Sequence, residues 1–184
     1  MAAGSDQGCG MNARAQLQRI RGRVRLLGDG VNTDVHCSSK YLPGTGTDFI
    51  ATRAFEDLAP GFARRFEPGD VIVAGYNFGI NSSREQAVHV LRAMGCTAIV
   101  ARSFGRQLFR NAINNGLPVV ECDLEGVVDG DRIEIDLSAG ALQVPERKVS
   151  IRFVALPAAV QAILCAGGLH PFLKANPNWQ MEQS

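Results

Sequence analysis

"DVIVAGYNFGINSSREQAVHVLRAMGCTAIVA", residues 70–101, decides the fold. It opens on a continuous apolar run, "DVIVAGYNF", and closes on another, "TAIVA". Runs without polar alternation are how strands buried on both faces read. Between them, Ala87, Val88, Leu91 and Met94 recur on one side of a helix that stops at Gly95. A helix joining two strands of one sheet makes the strands parallel. The pattern repeats downstream, where "SFGRQLFRNAINNG" predicts a helix from Ser103 to a glycine stop at Gly116 and "LPVVEC" predicts the next strand.

Outward from this core, "GRVRLL" alternates as a strand and "GDGVNTD" follows as a turn. "RAFEDLAPGFARRF" has helical spacing interrupted by Pro60, which predicts two short helices or one kinked helix. After Cys122 the style changes. "DRIEIDLSAGALQVPERKVSIRFVAL" alternates through turns as antiparallel strands, and "PAAVQAILCAGG" predicts a short final helix between Pro157 and Gly167. The expected fold is one α/β domain over residues 21–173 with a mixed parallel and antiparallel sheet. A flexible segment is expected at 1–20 and a flexible tail at 174–184, with Trp179 incidental or a docking residue.

Composition narrows the function classes. The chain has 184 residues, 46% hydrophobic and 20% charged, which excludes a generally disordered polymer. A formal net charge of +1 leaves no electrostatic footprint for nucleic acid. Cys9, Cys37, Cys96, Cys122 and Cys165 form no CxxC pair and no Cys/His cluster, so no complete metal site is expected in this chain. Reduced thiols fit a cytosol. The N-terminus lacks the order of a signal peptide, and no apolar run approaches the ~20 residues that span a bilayer, so a soluble cytoplasmic protein is expected.

The turn inside the opening stretch admits a structural and a chemical account. Ser82 and Glu85 match the S-x-x-E capping box, which satisfies the free donors of a helix start. That leaves Gly79, Asn81 and Arg84 unexplained. Gly79 and Asn81 both tolerate left-handed backbone and make a tight turn at the carboxyl end of a parallel strand, where such sheets bind ligands. Arg84 in the first helical turn opposes the helix dipole, a poor choice for stability and a good one for a substrate carboxylate. A serine beside it, Ser82, would have its alkoxide stabilised and could serve as base or nucleophile. The residues alone leave both accounts open, and the chemical one goes no further than a carboxylate site with a polarised serine.

"NFGINSSREQA", preceded by "GDVIVAG", resembles the active-site turn N-F-G-x-G-S-S-R-E of the family that unites the small subunit of 3-isopropylmalate dehydratase with the swivel domain of aconitases and homoaconitases. "GDGVNTD" followed by "KYL" resembles that family's G-D-x-x-x-T-D and R-Y-L segments, and "AIVARSFGRQLFRNAINNGLPVVEC" is similar to its strand, helix and strand around A-x-S-F and N-G-L-P. The likeness runs from Gly28 to Cys122 in the family's order.

The resemblance implies an aconitase-like swivel domain with layered β/β/α character. It also implies a separate large subunit that carries a [4Fe-4S] cluster, a hydroxy dicarboxylate substrate, and no cluster on this chain. Position by position, Ser82 would be the base that removes the proton beside a carboxylate, Ser83 would line the turn, and Arg84 would bind a substrate carboxylate. Thr33 and Asp34 fall on the family's T-D pair at the interface with the cluster subunit, although Asp34 also reads as a turn-capping aspartate. Tyr41, Leu42 and Pro43 begin the loop that distinguishes substrates. His36, His89 and His170 match no catalytic position.

The chain departs from the pattern at Asn81, which replaces the turn's second glycine, and at Lys40, which replaces a planar arginine fork by a point charge. The loop "YLPGTGTDF" has no cation before Arg53, so a tricarboxylate would lack its partner and a malate with a small or apolar substituent is favoured. The expected activity is 3-isopropylmalate and 2-isopropylmalate interconversion in leucine biosynthesis. The alternatives are a paralogue for another alkyl-substituted malate or maleate, and a non-catalytic binding domain on the swivel fold.

Overall fold

Strand β1 (Arg19–Leu26) organises the sheet, because its two halves pair in opposite senses. In the computed structural model, which describes residues 19–37, 46–81 and 84–179, Arg19 to Arg23 pair antiparallel with β5 (Arg132–Asp136), and Val24 to Leu26 pair parallel with β2 (Val71–Ala74). β3 (Ala98–Ala101) and β4 (Val119–Glu121) continue the parallel half. β6 (Ala141–Val144) and β7 (Val149–Arg152) continue the antiparallel half, so the order is β4-β3-β2-β1-β5-β6-β7.

Burial follows from this division. Every residue of β2 and β3 is buried, as two-sided coverage requires, whereas β5 and β6 alternate. On one face of the parallel half, Ile72, Ala74, Ile99, Ala101 and Val119 pack with residues of α4 (Gln86–Ala93) and α5 (Arg106–Asn114), such as Val88, Leu91, Leu108 and Ala112. On the other face, Val71, Val73, Ala98, Val100 and Val120 pack with Ile133, Ile135, Leu142 and Val144 from the antiparallel strands. Helices, parallel strands and antiparallel strands therefore form three layers over two cores, the layered mixed sheet expected from the sequence. Each large aliphatic side chain so buried contributes about 1.5–3 kcal/mol.

The remaining elements are short. α1 (Thr33–His36) and α2 (Thr47–Ala51) precede α3 (Phe62–Arg65), and α6 (Ala158–Cys165) and α7 (Leu169–Ala175) close the described chain. No helix among the described residues is long and apolar enough to cross a membrane.

Four local expectations need correction. The stretch "RAFEDLAPGFARRF" holds one helix, α3, with the residues before it in turns, because Phe55 adopts a left-handed φ of 62° and Gly61 one of 77°. Its apolar spacing serves an aromatic cluster instead: the Phe55 and Phe62 rings meet edge to face at 5.2 Å. α4 begins at Gln86, and Glu85 Oε1 accepts a hydrogen bond from Asn115 Nδ2 at 2.7 Å, so this glutamate bonds across to the end of α5. α5 begins at Arg106, because Ser103 to Gly105 are used by the neighbouring turn. The helix over "PAAVQAILCAGG" is not the last one. α7 follows it across the boundary expected at 173, and Trp179 stacks edge to face on Phe172 with ring centroids 5.4 Å apart.

At the start of β2, the Arg25 guanidinium meets the Asp70 carboxylate, with only 9% and 4% of the two residues exposed. Asp70 also accepts the Glu67 N–H at 2.9 Å, tying the incoming loop to the strand. Removing one member leaves a buried charge without its partner. Asp70→Ala is expected to lower the unfolding free energy by about 3–5 kcal/mol in urea titrations, and joint replacement of both residues by Met and Leu is expected to cost less.

Candidate active site

The loops at the carboxyl ends of β1, β2 and β3 meet over one turn, residues 75–81. Its backbone is held at nearly every step. From the β1 side, Gly28 C=O accepts the Gly75 N–H at 3.2 Å, the Gly30 N–H reaches Tyr76 C=O at 2.7 Å, and the Gly79 N–H reaches Val31 C=O at 2.8 Å. From the β3 side, the Phe78 N–H reaches Ser103 C=O at 3.0 Å and the Gly105 N–H reaches Phe78 C=O at 2.8 Å. Two side chains add to this: Asp29 Oδ1 accepts the Tyr76 N–H at 2.7 Å, and Ser103 Oγ accepts the Asn77 N–H at 2.8 Å.

The turn is left-handed at three places. Gly79 has φ 78° and Asn81 φ 59°, as their residue types suggest, and Asn77 joins them at φ 59°. A non-glycine residue in this region costs roughly 1–2 kcal/mol, which the surrounding hydrogen bonds offset. Ser82 and Ser83, next in the chain, lie outside the described residues, as do Tyr41, Leu42 and Pro43. Arg84 is exposed just before α4.

Thr33 and Asp34 are brought close to the turn by the Gly79 bond to Val31, two residues before Thr33. They open α1, where the capping acceptor is Asn32: its Oδ1 takes the Asp34 N–H at 3.0 Å. The half-buried Asp34 is therefore in the first helical turn rather than at the cap. Thr33 is fully buried, and its hydroxyl has no hydrogen-bond partner among the described residues.

A cleft of about 510 Å³ adjoins the turn at Tyr76 and is lined by Tyr76, Arg102, Cys122, Asp123 and Glu125. Arg102 lies over the Tyr76 ring at 5.5 Å and pairs with Asp123 at 3.3 Å. Sequence reading missed Asp29, Ser103, Tyr76 and Arg102. Asp29 and Ser103 stand inside the quoted "GDGVNTD" and "SFGRQ" segments, but nothing local says that they face Tyr76 and Asn77.

Burial raises the pKa of three of the described thiols. Cys37 and Cys96 are buried, burial pushing Cys96 up to about 12 and Cys37 well above its ordinary value. Burial and the neighbouring Asp123 push Cys122 up to about 11. These groups stay protonated at neutral pH and are poor nucleophiles. Among the described residues, no group of three or more His, Cys, Asp or Glu side chains could hold a metal ion. His36 is lowered by burial against a raising effect of Asp57, and its ring lies 6.1 Å from Phe55; His89 bonds Asn115 Oδ1 at 3.0 Å.

Gly79 is constrained both by its backbone and by its neighbours. A Cβ there would lie 2.2 Å from Leu108 Cδ2 and 2.6 Å from Leu108 Cβ, besides the φ penalty. Gly79→Ala is therefore expected to lower the unfolding free energy by about 2–4 kcal/mol, read from thermal or urea unfolding, because strain and overpacking add.

Comparison with known proteins agrees with this geometry. Residues 46–123 match the family of the aconitase C-terminal domain. The 3-isopropylmalate dehydratase small subunit of Halothermothrix orenii is 41% identical over 153 residues, 82% of this chain and 93% of that protein. Small subunit 1 of the same enzyme from Archaeoglobus fulgidus is 41% identical over 155 residues, 84% and 96% of the two chains. The crystal structure of 3-isopropylmalate dehydratase from Methanocaldococcus jannaschii superposes with a TM-score of 0.80 at 37% identity, covering 86% of this chain and 95% of that one. With about 40% identity over most of both chains and a TM-score of 0.80, the chain belongs to the 3-isopropylmalate dehydratase small-subunit family, within the aconitase superfamily.

Proposed function

We propose that this chain is the small subunit of a heteromeric hydro-lyase that interconverts 2- and 3-isopropylmalate in leucine biosynthesis, in the cytoplasm, with a large subunit as its partner. One observation supports the reading: a left-handed turn over residues 75–81, locked between the β1 and β3 loops, lies at the carboxyl ends of parallel strands, where ligands bind in such sheets, and "SSRE" follows it directly in the sequence.

In this assignment Ser82 takes the proton from the carbon beside a substrate carboxylate, and Arg84 holds that carboxylate with a planar pair of donors. Ser83 lines the turn. Asp34 faces the partner and the substrate with the buried Thr33 packed behind it, and Tyr41, Leu42 and Pro43 begin the loop that meets the alkyl substituent. A [4Fe-4S] cluster carried by the large subunit supplies Lewis acidity toward the substrate hydroxyl. The part of the chemistry assigned to this chain is proton transfer, carboxylate binding and closure over the substrate.

The test is co-expression with the large subunit, anaerobic cluster reconstitution, and alkene absorbance with isopropylmalate, citrate, homocitrate and dimethylmalate in parallel. Turnover of isopropylmalate is expected. Turnover of a different alkylmalate alone would transfer the protein to another pathway, and a stable complex inactive on all four would overturn the hydro-lyase assignment. Ser82→Ala is expected to lower kcat by about 10²–10⁴-fold while leaving the complex assembled; unchanged turnover would remove Ser82 as the base.

A further inference from the structure

The turn that precedes Ser82 in the chain is gripped at its root by two side chains from two different loops. Asp29, after β1, accepts the Tyr76 N–H at 2.7 Å, and Ser103, after β3, accepts the next N–H, that of Asn77, at 2.8 Å. Asn77 is the first left-handed residue of the turn, with φ 59°. The two bonds fix consecutive peptide planes at the point where the chain leaves extended geometry, and the path of the turn to Asn81 depends on those planes.

Gly75 gives an independent sign that Asp29 is seated there. A Cβ on Gly75 would fall 1.7 Å from Asp29 Oδ1 and 2.8 Å from its Cγ, so the place of a side chain at 75 is filled by the carboxylate of 29. Gly75 has no left-handed φ to account for it. The residue is a glycine to admit the clamp. On the other side, Gly105 has no room for a Cβ either, since one would sit 2.3 Å from Gly79 C=O. The β3 loop thereby approaches closely enough for Ser103 to reach Asn77.

We infer that Asp29 and Ser103 are positioning residues for the reaction, acting as a two-sided clamp that aims the Ser82–Arg84 segment without touching substrate. The inference rests on the hydro-lyase reading above. A clamp of this kind matters to rate because a displacement of about 1 Å in a catalytic group can cost on the order of 10²-fold in turnover. An acceptor oxygen is all the geometry requires of residue 29, so an amide serves as well as a carboxylate and a methyl group does not.

Four variants of the assembled complex test this: Asp29→Ala, Asp29→Asn, Gly75→Ala and Ser103→Ala. Each is followed by kcat and KM, by affinity for the large subunit, and by the thermal midpoint. Amide exchange at Tyr76 and Asn77 is measured in the full chain. Asp29→Ala and Gly75→Ala are expected to lower kcat by about 10–10²-fold with a smaller change in KM, and to speed exchange at Tyr76. Ser103→Ala is expected to do the same at Asn77. Asp29→Asn is expected to restore both turnover and protection. The clamp is overturned if Asp29→Ala keeps wild-type kcat, if Asp29→Asn loses as much as Asp29→Ala, or if lost activity simply follows a lower thermal midpoint or lost subunit binding. A wild-type complex inactive on every alkylmalate would instead overturn the functional reading. Exchange at Tyr76 and Asn77 then judges the clamp alone, unchanged rates in Asp29→Ala and Ser103→Ala rejecting it.

Discussion

The pairing of β1 with two strands in opposite senses is the constraint on which the rest depends. Its first half runs antiparallel to β5 and its second half parallel to β2, so one strand joins a hairpin sheet to a crossover sheet. Gly22 stands at the crossing, where a Cβ would meet Gly69 C=O at 2.3 Å and no other residue would let β2 begin alongside. The Arg25 and Asp70 ion pair is buried at the same place. Once β1 is shared, helices can cover only one face of the parallel half, and the antiparallel strands supply the other.

That layering exposes the carboxyl ends of β1, β2 and β3 along one edge, with three loops converging there. The turn after β2 is shaped by its neighbours more than by itself. Asn77 could take other conformations, and the left-handed one is held by backbone and side-chain bonds to the turn from both flanks. Strain at such a place is the usual companion of function, and rigidity there is what a base working on a carbon acid needs.

Much of this was legible in the residues. The continuous apolar runs of β2 and β3 and the alternating ones of β5 and β6 announced buried and half-buried strands, and the structure has both in the expected sheet senses. Gly79 and Asn81 were recognisable as left-handed from their types alone. The helix starts were not, because Glu85 and Ser103 have long-range partners that outweigh a local cap. Glu85 bonds Asn115, 30 residues on, and Ser103 bonds Asn77, 26 residues back. The same holds for "RAFEDLAPGFARRF", whose helical spacing brings Phe55 and Phe62 together without a continuous helix. Local periodicity reports which side chains go inside, while the backbone route by which they do so is set by what they pack against.

The sequence by itself determined the mixed sheet and the turn with its serine, arginine and left-handed residues, since these follow from periodicity and from the backbone each residue type permits. Only the tertiary structure decided which groups hold that turn. Asp29 and Ser103 lie 47 and 26 residues from the N–H groups they accept, and Gly75 is small because of Asp29 rather than because of its own φ. No window of sequence contains both partners of such a contact. It comes into being when β1, β2 and β3 line up side by side and bring their loops within hydrogen-bond reach.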